Sequence, residues 1–162
     1  RARVRFEHVQ TVDRADLPRM QGRFASMQPL HRTLDAGIAE SRLGADRLGN
    51  FFPIDSLRRA GARLAFGSDW PIVDCDPFEG IRAAVTPCGV GPREVIGVRD
   101  ALAAYTTGAR NCLGLDGGTL EPGAPADLVL LDRDPTEVDW PGGETPEVLM
   151  TIVGGRVVHE QG

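Results

Sequence analysis

Apolar and polar residues alternate along Val4-Arg5-Phe6-Glu7-His8-Val9, the two-residue period of a strand with one face in a core. Residues 14–21 form a short helical stretch with Pro18 near its start and Gly22 at its end. Phe24-Ala25-Ser26-Met27-Gln28 is a second strand, stopped by Pro29, and residues 30–50 are expected to be loop-rich. Residues 55–60 form a short helix closed by Gly61, and Arg63-Leu64-Ala65-Phe66-Gly67 is a third strand. Asp76 and Pro77 have the chemistry of an N-cap and a first helical position, for a helix reaching Val85. A turn-rich linker at residues 87–92 precedes a helix at 98–107, apolar at 98, 101, 102 and 105, and a shorter helix ending near Leu113.

That β-α-β-α-β-α order predicts α/β architecture with parallel strands and helices packed outside them. The pattern changes after residue 113. Gly117-Gly118 and Glu121-Pro122-Gly123 are turns, and residues 126–131 are a strand. Residues 148–153 and 156–159 flank Gly154-Gly155 as a hairpin with a two-residue turn. The chain therefore divides at 113/114 into an α/β part, residues 1–113, and a β-rich tail, residues 114–162.

Composition adds limits. The net charge is −5 with acidic residues dispersed, which argues against nucleic-acid or anionic-membrane partners. No apolar run approaches the roughly 18 residues of a membrane span, and no basic-then-apolar leader opens the sequence. A cytoplasmic location with reduced thiols is expected for Cys75, Cys88 and Cys112, which form no CxxC pair. Lysine is absent, so no lysine of this chain can form a Schiff base or a carbamate.

Ligands in parallel α/β folds meet the C-terminal ends of strands. His8, the Gln28–His31 stretch and Asp69 lie at such ends. Singly, each has an ordinary explanation: a structural histidine, a turn cap, an Asx turn. Together, imidazole and carboxylate are ligand types for a catalytic zinc, and a carboxylate there can also take a proton from water. One β-α unit separates the strands of His8 and Asp69, which places them two strands apart on one rim.

Four segments occur in order: Arg5-Phe6-Glu7-His8-Val9-Gln10, Ala25-Ser26-Met27-Gln28-Pro29-Leu30-His31, residues 60–71 around Gly67-Ser68-Asp69-Trp70-Pro71, and residues 118–129 around Glu121-Pro122-Gly123-Ala124-Pro125-Ala126-Asp127. Across nearly the whole chain they resemble the end of the metal-dependent amidohydrolase superfamily, in the branch of N-substituted formamide deformylases and related enzymes. The resemblance implies strands six to eight of a (β/α)8 TIM-type barrel for residues 1–113, and part of a composite β-sandwich for residues 114–162. It implies hydrolysis of non-peptide carbon–nitrogen bonds in small amide, imide or N-formyl compounds by metal-activated water, with a divalent metal such as zinc. His8 and Asp69 would bind the metal, Asp69 would be catalytic by shuttling the proton, and Gln28 and His31 would line the substrate pocket.

The family's upstream ligands, a His-x-His pair and further groups after middle strands, have no match here. Two ligands are fewer than the three protein ligands a catalytic zinc usually has. A second expectation follows: a catalytically inactive fragment, or an assembly module pairing with a separate N-terminal half or with another copy. Glu7 should point away from His8. Asp35, Arg47 and Trp70 are ordinary loop or packing groups, Asp127 is structural, and His159 in the terminal hairpin is no ligand.

Overall fold

Arg5–Glu7 (β1), Phe24–Met27 (β2) and Arg63–Phe66 (β3) lie side by side, all parallel, in the order β1-β2-β3. Arg5 is level with Phe24, and Phe24 with Arg63, so the three strands finish at one edge of the sheet. The structure, a computed structural model, describes residues 4–91 and 93–162. Pro92, at the end of the anticipated linker, lies outside the described residues.

β2 is the central strand, with Phe24, Ala25 and Met27 buried, while all three residues of β1 are exposed. The strand expected over residues 4–9 is shorter, because the backbone turns left-handed at His8 (φ 66°) and Val9 (φ 48°). A 3-10 helix, Arg14–Met20, leads from β1 to β2, its N-cap Asp13 accepting from the Ala15 amide.

The loop expected over residues 30–50 is instead α1 (Pro29–Leu43) followed by a 3-10 turn, Ala45–Asn50. Pro29 occupies the first helical positions, and Gly44 at φ 80° ends the helix. The face of α1 that enters the protein carries Pro29, His31, Arg32 and Ala39, whereas Leu34 and Ile38 are exposed. Leu30, Leu34 and Ile38 do follow a helical spacing, but Leu34 and Ile38 face outward, and the buried face carries His31 and Arg32 instead of an apolar stripe. The Arg32 guanidinium, 1% exposed, donates to the Ala83 carbonyl and ties α1 to the next helical layer.

α2 (Ile54–Arg59) precedes β3, and Gly61 just past it has φ 80°. α3 (Pro77–Val85) starts as the sequence predicts, with Asp76 accepting from the Phe78 amide and Pro77 in the first turn. The two helices expected between 98 and 113 are one continuous rod: α4 (Val98–Ala103), a π-turn over Ala104–Gly108, and α5 (Ala109–Leu113). It lies against β3, and a Cβ at Gly108 would fall 2.3 Å from the Leu64 carbonyl oxygen. Only glycine permits that approach.

β4 (Leu128–Leu131), β5 (Val148–Val153) and β6 (Arg156–Glu160) form a second sheet, antiparallel throughout. Gly154 (φ 56°) and Gly155 (φ 77°) make the turn between β5 and β6, both positive as a type I′ turn requires. Asp127 secures it: Oδ1 accepts from the Gly154 amide and Oδ2 from Arg110 Nη1 of α5.

One core cluster contains Met27 of β2, Phe52, Ile54, Leu57, Ile81 of α3, and Val138 and Trp140 from the loop before β5. Trp140 is 1% exposed, and its Nε1 donates to the Pro135 carbonyl. Each such side chain contributes about 1.5–3 kcal/mol by leaving water. The three cysteines are free, and among the described residues no helix is long and apolar enough to cross a membrane.

Candidate metal centre

Each strand of the parallel sheet sends one polar side chain to the same place from just beyond its C-terminal end. His8 follows β1 directly, His31 lies in the first turn of α1 after β2, and Asp69 follows β3. His8 Nε2 is 3.9 Å from Asp69 Oδ2, and His31 Nε2 is 4.0 Å from the same oxygen. The two imidazole centroids are 6.0 Å apart. One ligand atom from each residue lies within 4.8 Å of the others, making this a three-donor cluster.

The local backbone aims these groups. Asp69 (φ 62°) is left-handed like His8, an uncommon state for residues with a Cβ. The Asp69 carbonyl accepts from Ile72 N, and Ser68 Oγ accepts from Trp70 N, closing a tight turn at the end of β3. The Trp70–Pro71 peptide within this turn is cis. On the other side, Gln10 Nε2 donates to Asp35 Oδ2 at 2.8 Å, while the Gln10 carbonyl accepts from Phe52 N at 2.7 Å. These bonds hold the segment after His8 against α1, one turn along from His31.

The cluster grades from buried to open. The His31 side chain is 9% exposed, against 45% for His8 and 40% for Asp69. Three buried polar atoms here lack hydrogen-bond partners: His8 Nδ1, His31 Nε2 and Gln28 Oε1. Such atoms are rare in folded proteins and ask for a partner. Two imidazoles and a carboxylate, close together but not hydrogen-bonded to one another, are a donor set that fits a divalent ion.

His8 and Asp69 thus meet as their strand-end positions suggest. Gln28 is buried at the N-cap of α1, three residues before His31, and is outside the donor cluster. His31 joins the cluster itself, which its sequence position alone did not show. Pro29 at the start of a helix was the available signal, because it places His31 in the first turn beside the strand ends. Glu7 pairs with Arg5 at 2.5 Å. Asp35 serves Gln10, Arg47 Nε donates to the Leu43 carbonyl, Trp70 is 69% exposed, and His159 pairs with Thr151 in the second sheet.

Residues 1–159 match the Amidohydrolase family. The chain belongs to that family. Among curated proteins it is 34% identical to Protein LONG AFTER FAR-RED 3 of Arabidopsis thaliana, over 97% of this chain and 29% of that protein. It is 36% identical to the N-substituted formamide deformylase of Arthrobacter pascens, over 68% of this chain and 22% of the deformylase. The chain therefore spans less than a third of the length of these relatives. Among solved structures, an uncharacterized metal-dependent hydrolase from Pyrococcus furiosus superposes with a TM-score of 0.75 at 32% identity, over 83% of this chain and 29% of the other. The amidohydrolase relationship accords with the mixed α/β fold of the chain.

Proposed function

We propose that the protein hydrolyses carbon–nitrogen bonds, other than peptide bonds, in small amide, imide or N-formyl compounds. In this assignment residues 1–113 supply strands six to eight of a (β/α)8 barrel, and residues 114–162 part of a β-sandwich beside it. The observation that carries it is the convergence of His8, His31 and Asp69 beyond the ends of three adjacent parallel strands. Kinship with a formamide deformylase and with a metal-dependent hydrolase supports the same chemistry.

A divalent metal, zinc by the donor set, would supply Lewis acidity and lower the pKa of water at the site. His8 and Asp69 would hold it. The Asp69 carboxylate also accepts the proton of the attacking water and passes it to the departing nitrogen. Gln28, with Oε1 buried and unpartnered, accepts a hydrogen bond from the substrate's N–H and so orients the amide.

The test is turnover by the full-length protein on a panel of N-formyl amines, linear amides and cyclic imides. The expected result is hydrolysis of at least one class, lost on chelation and restored by zinc, with kcat lowered about 10²–10⁴-fold in Asp69→Asn. Wild-type turnover in Asp69→Asn, or indifference to chelation, overturns the assignment.

The open edge of β1 favours a second reading, in which this chain is an assembly module completed by an N-terminal half or another copy. Val4 is 49% and Phe6 43% exposed there. Sedimentation of the purified 162-residue chain as a lone monomer at all concentrations would count against it.

A further inference from the structure

His31 Nε2 is buried without a hydrogen-bond partner, at the tip of a side chain only 9% exposed. Buried polar atoms are rarely left without a partner in folded proteins, so an acceptor or an ion is expected to meet it. Within the protein it faces Asp69 Oδ2 at 4.0 Å, beyond the roughly 3.2 Å reach of an N–H···O bond. The same oxygen stands 3.9 Å from His8 Nε2. His31 belongs to a trio whose donor atoms lie within 4.8 Å of one another. It is well placed to meet something held between itself, His8 and Asp69.

We propose that His31 is a third metal ligand, binding through Nε2 alongside His8 and Asp69, rather than a residue of the substrate pocket. The inference rests on the metal-centre assignment above and sharpens it. With His31 included, this chain alone presents two imidazoles and a carboxylate, the three-protein-ligand complement of a catalytic zinc with one position left open. Bonds of about 2.0–2.2 Å to a tetrahedral ion set ligand atoms roughly 3.3 Å apart. Closing the observed spacing, at most 4.8 Å, takes a contraction of roughly 0.5–1.5 Å. Side-chain rotation of the partly exposed His8 and Asp69 toward the buried His31 ring would make that contraction without moving the backbone that the turn bonds hold.

Cobalt(II) titration of the full-length protein tests this, read by affinity and by visible d–d absorption. The variants are His31→Gln, His31→Cys, His8→Gln and Asp69→Asn. Loss of a group that merely supports a ligand costs about 10–100-fold in affinity. His31→Gln is therefore expected to weaken binding by more than about 100-fold and to alter the d–d band. His31→Cys is expected to retain cobalt and to gain a thiolate-to-cobalt charge-transfer band, which only direct coordination produces. That band decides the matter if His31→Gln does not fold, as checked by far-ultraviolet circular dichroism without metal. Unchanged affinity and spectrum in His31→Gln, with cobalt lost in His8→Gln, would overturn the proposal and leave the metal centre intact. Unchanged binding in both His8→Gln and Asp69→Asn would overturn the metal centre and this ligand with it.

Discussion

His8 and Asp69 share a left-handed backbone, at φ 66° and 62°, just beyond the C-terminal ends of the two outer strands of the parallel sheet, and His8 Nε2 stands 3.9 Å from Asp69 Oδ2. A residue with a Cβ pays roughly 1–2 kcal/mol in that conformation. The cost is borne at the two places where a polar side chain must turn back across the strand ends, a common location for backbone strain in functional sites. Hydrogen bonds around Asp69 and between Gln10, Asp35 and Phe52 hold both residues there.

Strain at Asp69 predicts an order of stability. Asp69→Ala and Asp69→Gly both remove the carboxylate, but only glycine adopts φ 62° freely. After allowance for the greater unfolded-state entropy of glycine, Asp69→Gly should be the more stable by about 1 kcal/mol. Urea denaturation of both variants without metal measures the difference. Equal stability, or a more stable Ala variant, would mean that the turn holds no strain at this position.

The parallel β/α order was legible because short apolar strands alternate with capped helices, as Asp76-Pro77 shows for α3. The pairing of His8 with Asp69 was legible because both lie at strand ends. α1 was not, because Arg32 and His31 replace the apolar residues that normally mark a buried helical face. The same substitution concealed the position of His31: in a presumed loop its direction is undefined, whereas in the first turn of a helix it is fixed beside Asp69. The continuity of the rod from Val98 to Leu113 was hidden by Gly108, which looks like a helix stop but provides close packing on β3.

Tyr105 predicts a loss of stability in alkali. Burial pushes its phenol well above the ordinary value near 10, and the negative charge of Asp76 adds to the effect. The ring meets Phe66 edge-on at 5.5 Å, and its hydroxyl lies over Gly80 of α3, 1.8 Å from where a Cβ would be. The folded protein therefore keeps the proton that the unfolded chain gives up above about pH 10. The stability this confers is complete below that pH and is lost as pH rises toward the folded value. By pH 11 the loss is on the order of 1 kcal/mol. Tyr105→Phe should remove that part of the alkaline slope, whatever it does to stability at neutral pH. Identical slopes for the two proteins between about pH 9 and 11 would refute the assignment to Tyr105.

Two helical glycines should respond to alanine with opposite signs. At Gly108 the added Cβ meets the Leu64 carbonyl oxygen at 2.3 Å and the Ala103 carbonyl oxygen at 3.1 Å. Both are backbone atoms, one of them in β3, so relief requires the rod to move off the sheet. Overpacking of this kind costs typically about 1–3 kcal/mol. At Gly37, inside α1, nothing lies within 4 Å of the new Cβ. There alanine only gains helix propensity and reduces unfolded-state entropy, a benefit of about 0.5–1 kcal/mol. Thermal or urea unfolding of Gly108→Ala and Gly37→Ala, each against wild type, supplies the comparison. A Gly108→Ala protein as stable as Gly37→Ala would show that the rod does not pack on β3 at this distance. The placement of β3 would then need revision, because the rod packs directly on it.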